Sequence, residues 1–177
     1  MKPISVRRLP YLGLALAWLV ASIHLGWEHT HGGVHSHHLL NREDLPSVSN
    51  WWGLLTMPVL GWLASCAVAH RAAAQPREGA KALAGFAGAL LLGAALAGAF
   101  ATGQEALTSA LFLSTLAAGL VLPIYRPEYV FGYVIGMSFV FGAVLPMLVG
   151  GVAAALSATA HAVARTVWRL ARAQFRA

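Results

Sequence analysis

Five side chains able to bind a metal ion follow one another at intervals of three and four residues. They are His24, Glu28, His31, His35 and His38. Residues at these intervals share one face of an α-helix, so a continuous helix would present them as a single stripe. Imidazole nitrogens and carboxylate oxygens suit zinc, copper, nickel and iron(II). The spacing therefore predicts a transition-metal site made of these five residues.

The pair Gly32-Gly33 interrupts this stripe, because two successive glycines end a helix more often than they continue it. Without a continuous helix, the same histidines would lie in a hydrated loop whose charge changes with pH. Glu28 also has two roles open to it, as a metal ligand or as the acceptor for the second N–H of a ligating histidine. A pH-responsive loop therefore stays open beside the metal site.

The segment 28–50 is predicted to be the long outer loop of the protein. It holds five of the eight histidines and three of the six acidic residues. Loops longer than about 12–15 residues are usually functional or disordered. Near its end, Pro46 predicts a turn, and Ser47, Ser49 or Asn50 is suited to cap the next helix. We expect this loop to be held against the mouth of a helical bundle.

The composition predicts an integral membrane protein. The chain is 58% hydrophobic and 10% charged, whereas an ordinary soluble domain has about 25% charged residues. The net charge of +6 does not indicate nucleic-acid binding, because the basic residues lie between long apolar runs. The single cysteine, Cys66, excludes a disulfide within the chain.

Six apolar segments approach the roughly 20 residues that a membrane-spanning helix needs. We predict spans at about 11–27, 52–69, 82–100, 106–124, 129–148 and 152–168, forming one domain of 177 residues. The last two would be separated by a turn at Gly150-Gly151; the alternative is five spans with a long last helix kinked at Pro146. The first segment resembles a signal peptide, but it lacks a clear cleavage site, so we expect it to be retained.

The basic residues predict the orientation of this bundle. With the N-terminus in the cytoplasm, Arg42 alone falls on the outer side and eleven basic residues fall on the inner side. The eleven are Lys2, Arg7, Arg8, Arg71, Arg77, Lys81, Arg126, Arg165, Arg169, Arg172 and Arg176. Positive loops stay in the cytoplasm. The asymmetry predicts six spans with both termini cytoplasmic, in a bacterial-type inner membrane.

Small residues at intervals of four predict close helix contacts. The third span carries Gly85, Ala89 and Gly93, then Ala94 and Gly98; the fifth carries Gly132 and Gly136. Membrane helices associate through such stripes, because small side chains let backbones approach. Packing within the chain is the simpler expectation, and a homo-oligomer is the alternative.

The C-terminal segment has one basic face. Its residues are His161, Arg165, Arg169, Arg172 and Arg176. Helices with such a face bind anionic lipid headgroups. We therefore expect the bilayer and its anionic headgroups as partners of this segment.

Three functions follow as hypotheses. The first is a metal-binding membrane protein whose outer loop captures zinc, copper, nickel or iron for transport, delivery or sensing. The second is a metal-dependent hydrolase of a lipid-linked substrate, with Glu28 or Asp44 as the base. The third is a non-enzymatic assembly or scaffold protein. The sequence contains no zincin signature, nucleotide-binding glycine loop or nucleophile elbow, so it leaves open whether the protein is an enzyme.

Overall fold

The computed structural model describes residues 6–38, 44 and 47–174, and over these residues the fold is all-helical apart from one short hairpin. The helices are α1 (Leu9–Thr30), α2 (Gly53–Ala74), α3 (Pro76–Ala101), α4 (Glu105–Val121), α5 (Pro127–Phe141) and α6 (Val144–Gln174). Two antiparallel strands, β1 (Ser36–His38) and β2 (Ser47–Ser49), lie between α1 and α2. Three-residue 3-10 helices at Val6–Arg8 and Asn50–Trp52 precede α1 and α2. The predicted all-α class is confirmed.

The helices differ in length. Within the described part of the chain, α1, α2, α3 and α6 are long and apolar enough to span a membrane. Helices α4 and α5 have 17 and 15 residues. At a rise of 1.5 Å per residue these measure about 26 and 23 Å, against a hydrocarbon core of about 30 Å. Four helices of spanning length are thus present, and the count of six spans stays a prediction.

The break between the last two helices is not where the sequence analysis placed it. Helix α5 ends at Phe141, and Gly142 adopts a φ of +67° before α6 begins at Val144. A positive φ of this size favours glycine, which has no Cβ to clash with the backbone. Gly142 is therefore the residue that separates the two helices.

The pair Gly150-Gly151, predicted to be a turn, lies inside α6. A glycine within a helix costs only about 1 kcal/mol relative to alanine, and the buried Gly150 packs beside the ring of Tyr133. Pro146 occupies the first turn of α6, where its missing N–H removes no helical hydrogen bond. The predicted turn at residues 150–151 and the predicted kink at Pro146 were both wrong, and the choice between five and six spans stays a prediction.

The most extensive helix contact joins α3 to α5. Gly132 packs directly on the carbonyl oxygen of Phe86, and Gly136 packs on that of Leu90. In the opposite direction, a Cβ added to Gly93 would lie 2.6 Å from the carbonyl oxygen of Tyr133. These glycines pack within the chain, as predicted, whereas Gly98 faces open space.

Helices α1 and α2 also pack closely through glycines, at positions that were not predicted from the sequence. A Cβ added to Gly13 would lie 2.6 Å from the carbonyl oxygen of Gly61, and one added to Gly61 would lie 2.6 Å from that of Gly13. The backbones of α1 and α2 are therefore in contact where the two helices cross, at Gly13 and Gly61. The hydrophobic core around Met57, Phe131 and Val134 fills the space between this pair and α5.

Replacing Gly136 by alanine should destabilise the bundle. The new methyl group would overlap backbone atoms of Leu90 and Ala94, and overpacking of this kind costs about 1–3 kcal/mol. Gly98→Ala is the matched control on α3, because its methyl group meets nothing. Reversible unfolding in mixed detergent measures both, and a Gly136→Ala variant as stable as Gly98→Ala would contradict the packing described here.

Candidate functional site

The carboxyl group of Glu28 is buried at the end of the bundle where α1 stops. Glu28 lies in the last turn of α1 and is 4% exposed. Its Oε1 accepts a hydrogen bond from Asn50 Nδ2 at 2.6 Å, and its Oε2 accepts one from the backbone N–H of His35 at 3.4 Å. This side chain thus joins α1, the hairpin and the start of α2.

Two imidazoles flank the same carboxylate. His24 Nε2 lies 3.3 Å from Glu28 Oε1, and His35 Nδ1 lies 3.5 Å from the same oxygen. The side chain of His24 is 5% exposed, whereas that of His35 is 58% exposed. His24 also packs against the ring of Phe139 in α5, with ring centroids 5.3 Å apart. We call Glu28, His24, His35 and Asn50 the Glu28 cluster.

The chain path explains why His35 reaches Glu28. Helix α1 ends at Thr30, and Gly32 and Gly33 reverse the chain at φ values of +120° and +101°. The backbone carbonyl of Glu28 accepts hydrogen bonds from the N–H groups of His31 and Gly33, both at 3.0 Å. The glycine pair therefore folds the segment back over the end of the helix.

The hairpin then places Asn50 beside His35. Ser36 of β1 pairs with Ser49 of β2. Beyond this pair, the backbone N–H of Asn50 donates a hydrogen bond to the carbonyl oxygen of His35 at 3.0 Å. Ser49 accepts a hydrogen bond from the N–H of Trp51 at 3.4 Å, so Ser49 is the cap of the 3-10 helix. Two residues that are 15 apart in sequence thereby converge on one carboxylate.

The predicted helical stripe was wrong, because the glycine pair ends the helix before His31. The ring of His31 stacks on Trp27, with centroids 4.6 Å apart and planes 19° apart. Its Nδ1 lies 2.8 Å from the carbonyl oxygen of Trp27. The side chain of His38 lies outside the described residues. Of the five predicted ligands, the structure brings together His24, Glu28 and His35.

Asn50 and Gly142 belong to this site, and the sequence analysis did not assign either to it. The Asn50 side chain lies directly against Gly142, where a Cβ would overlap its amide. Asn50 is 5% exposed. A single asparagine and a single glycine, 92 residues apart, form no local pattern. The contact ties the Glu28 cluster to the turn between α5 and α6.

The cluster brings together groups that can exchange protons. An exposed imidazole, a buried carboxylate and a buried imidazole follow one another at 3.5 and 3.3 Å, so a proton taken up at His35 lies next to Glu28. Among the side chains that the structure describes, no group of three or more His, Cys, Asp or Glu is arranged to hold a metal ion. The Asn50 amide occupies the position nearest to Oε1 instead.

Comparisons of the chain with protein-family models, with curated proteins and with solved structures gave no match.

Removing the Glu28 carboxyl group should destabilise the protein. Glu28→Ala removes the acceptor of the hydrogen bonds from Asn50 Nδ2 and from the His35 N–H, and removing one partner of a buried hydrogen bond costs about 1–3 kcal/mol. Glu28→Gln keeps an oxygen acceptor and should lose less. Glu105→Ala is the control, because Glu105 is exposed in the first turn of α4. Equal unfolding free energies for Glu28→Ala and Glu105→Ala would show that the cluster has no stabilising role.

Proposed function

We propose that the chain is a multi-pass membrane protein with both termini in the cytoplasm and the Glu28 cluster at the opposite face. Four helices of spanning length support this. Every helix also exposes a large apolar side chain, for example Leu19, Leu63, Leu91, Leu120, Phe139 and Leu156. Apolar surface distributed around a whole bundle suits lipid and does not suit water. The chain would cross a bacterial-type inner membrane six times.

We further propose that the Glu28 cluster binds a transition-metal ion. One observation carries this proposal: two imidazole nitrogens lie 3.3 and 3.5 Å from the same carboxylate oxygen. In a tetrahedral site with metal–ligand bonds of about 2.0–2.1 Å, neighbouring ligand atoms are about 3.4 Å apart. The His24–Glu28 and His35–Glu28 distances are therefore close to the separation of neighbouring ligands in such a site. The exposed His35 would provide access from the surface.

Metal binding would require the Asn50 amide to turn. Its Nδ2 donates to Glu28 Oε1, and a cation cannot share that position with an N–H group. A rotated amide would present its oxygen, which is itself a donor atom for metals. Asn50 also contacts Gly142, so such a rotation would reach the turn between α5 and α6.

Of transport, delivery and sensing, sensing agrees best with the contact between Asn50 and Gly142. A transported ion needs polar groups along its path through the membrane. The segments 82–100, 106–124 and 129–148 contain no Asp, Glu, Lys, Arg or His. A change at the Glu28 cluster, in contrast, would be felt at α1, α2 and the α5–α6 turn, because all three contact it.

A pH-responsive cluster is the second candidate, and the 2.6 Å hydrogen bond from Asn50 to Glu28 favours it. The groups already satisfy one another without a metal. Protonation of His24, which is buried next to the carboxylate, would add an ion pair in a place where charges interact strongly. The two candidates use the same residues and differ in the species bound.

Metal content distinguishes them. Purified wild-type protein should retain close to one equivalent of metal, and His24→Ala and His35→Ala should each lose it. His31→Ala is the matched control, because His31 is held at Trp27 and its removal should leave the metal in place. Elemental analysis of the four proteins measures this.

Loss of metal in His31→Ala to the same extent as in His35→Ala would contradict the proposed ligand set. Absence of metal from the wild type, combined with a fluorescence change between about pH 5 and 8 that Glu28→Gln abolishes, would establish the pH-responsive candidate instead.

The C-terminal part of α6 is proposed to lie on anionic headgroups. Helix α6 has 31 residues, about 46 Å at 1.5 Å per residue. His161 contacts Tyr125 in the connector before α5, and Arg165, Arg169 and Arg172 beyond it are exposed. The Arg172 guanidinium lies over the ring of Trp168, 4.8 Å from its centroid. Arg176 lies outside the described residues.

Trypsin tests this proposal, because it cleaves after these arginines. In nanodiscs of anionic lipid the segment after His161 should be protected, and in nanodiscs of zwitterionic lipid it should be cleaved. High salt should remove the protection, since it screens the charges. Equal cleavage in both lipids would contradict headgroup binding.

A further inference from the structure

A cavity of about 640 Å³ lies between α3, α4, α5 and α6, away from the Glu28 cluster. Cavities that bind small molecules measure about 300–1,000 Å³. Its wall is largely apolar and includes Ala84, Gly88, Ala89, Ala118, Leu122 and Val130. The cavity lies near the beginnings of α3 and α5 and the end of α4, which is the end of the bundle that carries the basic connectors. We call this the basic end.

Charged side chains surround the cavity at the basic end. Glu78 pairs with Lys81 at 2.8 Å and with Arg126 at 3.1 Å, and Glu128 pairs with Arg71 at 2.6 Å. Three cations therefore face two carboxylates, which leaves one positive charge in excess. Lys81 and Arg126 both line the cavity and share a single carboxylate. They can accept a further anionic group.

Two buried residues that line the cavity, Glu128 and Tyr133, carry oxygens whose hydrogen-bonding capacity is incompletely used. Glu128 and Tyr133 are 3% and 4% exposed, and both line the cavity. Within the described part of the chain, Glu128 Oε1 has no hydrogen-bond partner, and the Tyr133 hydroxyl interacts with the Thr115 side chain alone. A carboxylate oxygen only accepts, whereas a phenol both donates and accepts. A ligand that satisfies both must offer a hydrogen-bond donor and an acceptor.

We infer that this cavity binds a glycerophospholipid from the cytoplasmic leaflet. The acyl chain packs on the apolar wall, and the phosphate lies at Lys81 and Arg126. The headgroup ends in an ammonium or hydroxyl group that donates to Glu128, and an ester carbonyl accepts from Tyr133. This inference rests on the proposed membrane location of the chain and is independent of metal binding.

Headgroup chemistry provides the first test. Native mass spectrometry of the full chain in detergent, with added lipids of matched acyl chains, measures binding directly. Phosphatidylethanolamine and phosphatidylglycerol should bind about tenfold more tightly than phosphatidylcholine, because a trimethylammonium group has no N–H to donate. Equal binding of phosphatidylcholine would overturn the assignment of Glu128 as the headgroup acceptor.

Two glycines of α3 provide the second test. A Cβ added at Gly88 or at Gly98 meets no atom within 4 Å, so leucine at either position should be compatible with folding. Gly88 lines the cavity, and Gly98 lies near the other end of the helix. Gly88→Leu should reduce phosphatidylethanolamine binding about tenfold, and Gly98→Leu should leave it unchanged.

Equal binding by the Gly88→Leu and Gly98→Leu variants would overturn the inference. That result is distinguishable from failure of the proposed membrane location, which would appear as protein that remains in solution without detergent. Metal content should be the same in both leucine variants and the wild type, since the cavity lies apart from the Glu28 cluster.

Discussion

The burial of the Glu28 carboxyl group is the constraint on which one end of this structure depends. Moving an ionised carboxylate out of water costs several kcal/mol unless the protein replaces the lost hydrogen bonds. Here the replacements come from Asn50, from the backbone N–H of His35 and from two neighbouring imidazoles. These groups come from α1, from the residue before β1 and from the 3-10 helix before α2. Satisfying one carboxylate therefore helps to determine where the hairpin and α2 begin.

The Glu28 cluster also packs against the end of α5. His24 contacts Phe139, and Asn50 contacts Gly142, so the end of α5 is placed by the residues that surround Glu28. At the basic end, Glu128 is buried in a comparable way and pairs with Arg71 across α2 and α5. Between the two ends, glycines bring the α3 and α5 backbones into contact. The polar groups position the ends of the helices, and small residues hold their middles together.

Local patterns in the sequence predicted the helices and one contact of the site. Long apolar runs predicted the all-α class, and an interval of four predicted that His24 and Glu28 are neighbours, since both depend only on helical periodicity. The positions of His35 and Asn50 depend on a chain reversal and a hairpin register, which local periodicity does not encode. Similarly, Gly142 and Gly150 are equivalent by residue type, and tertiary contacts decide which one ends a helix.

We expect the hydrogen bond between Asn50 and Glu28 to stabilise the bundle. A double-mutant cycle with Glu28→Ala, Asn50→Ala and the double variant, measured by reversible unfolding in mixed detergent, tests it most directly. We predict a coupling free energy of at least about 1 kcal/mol, as expected for contacting groups in one hydrogen-bond network. Strictly additive effects of the two substitutions would show that the two side chains do not stabilise each other.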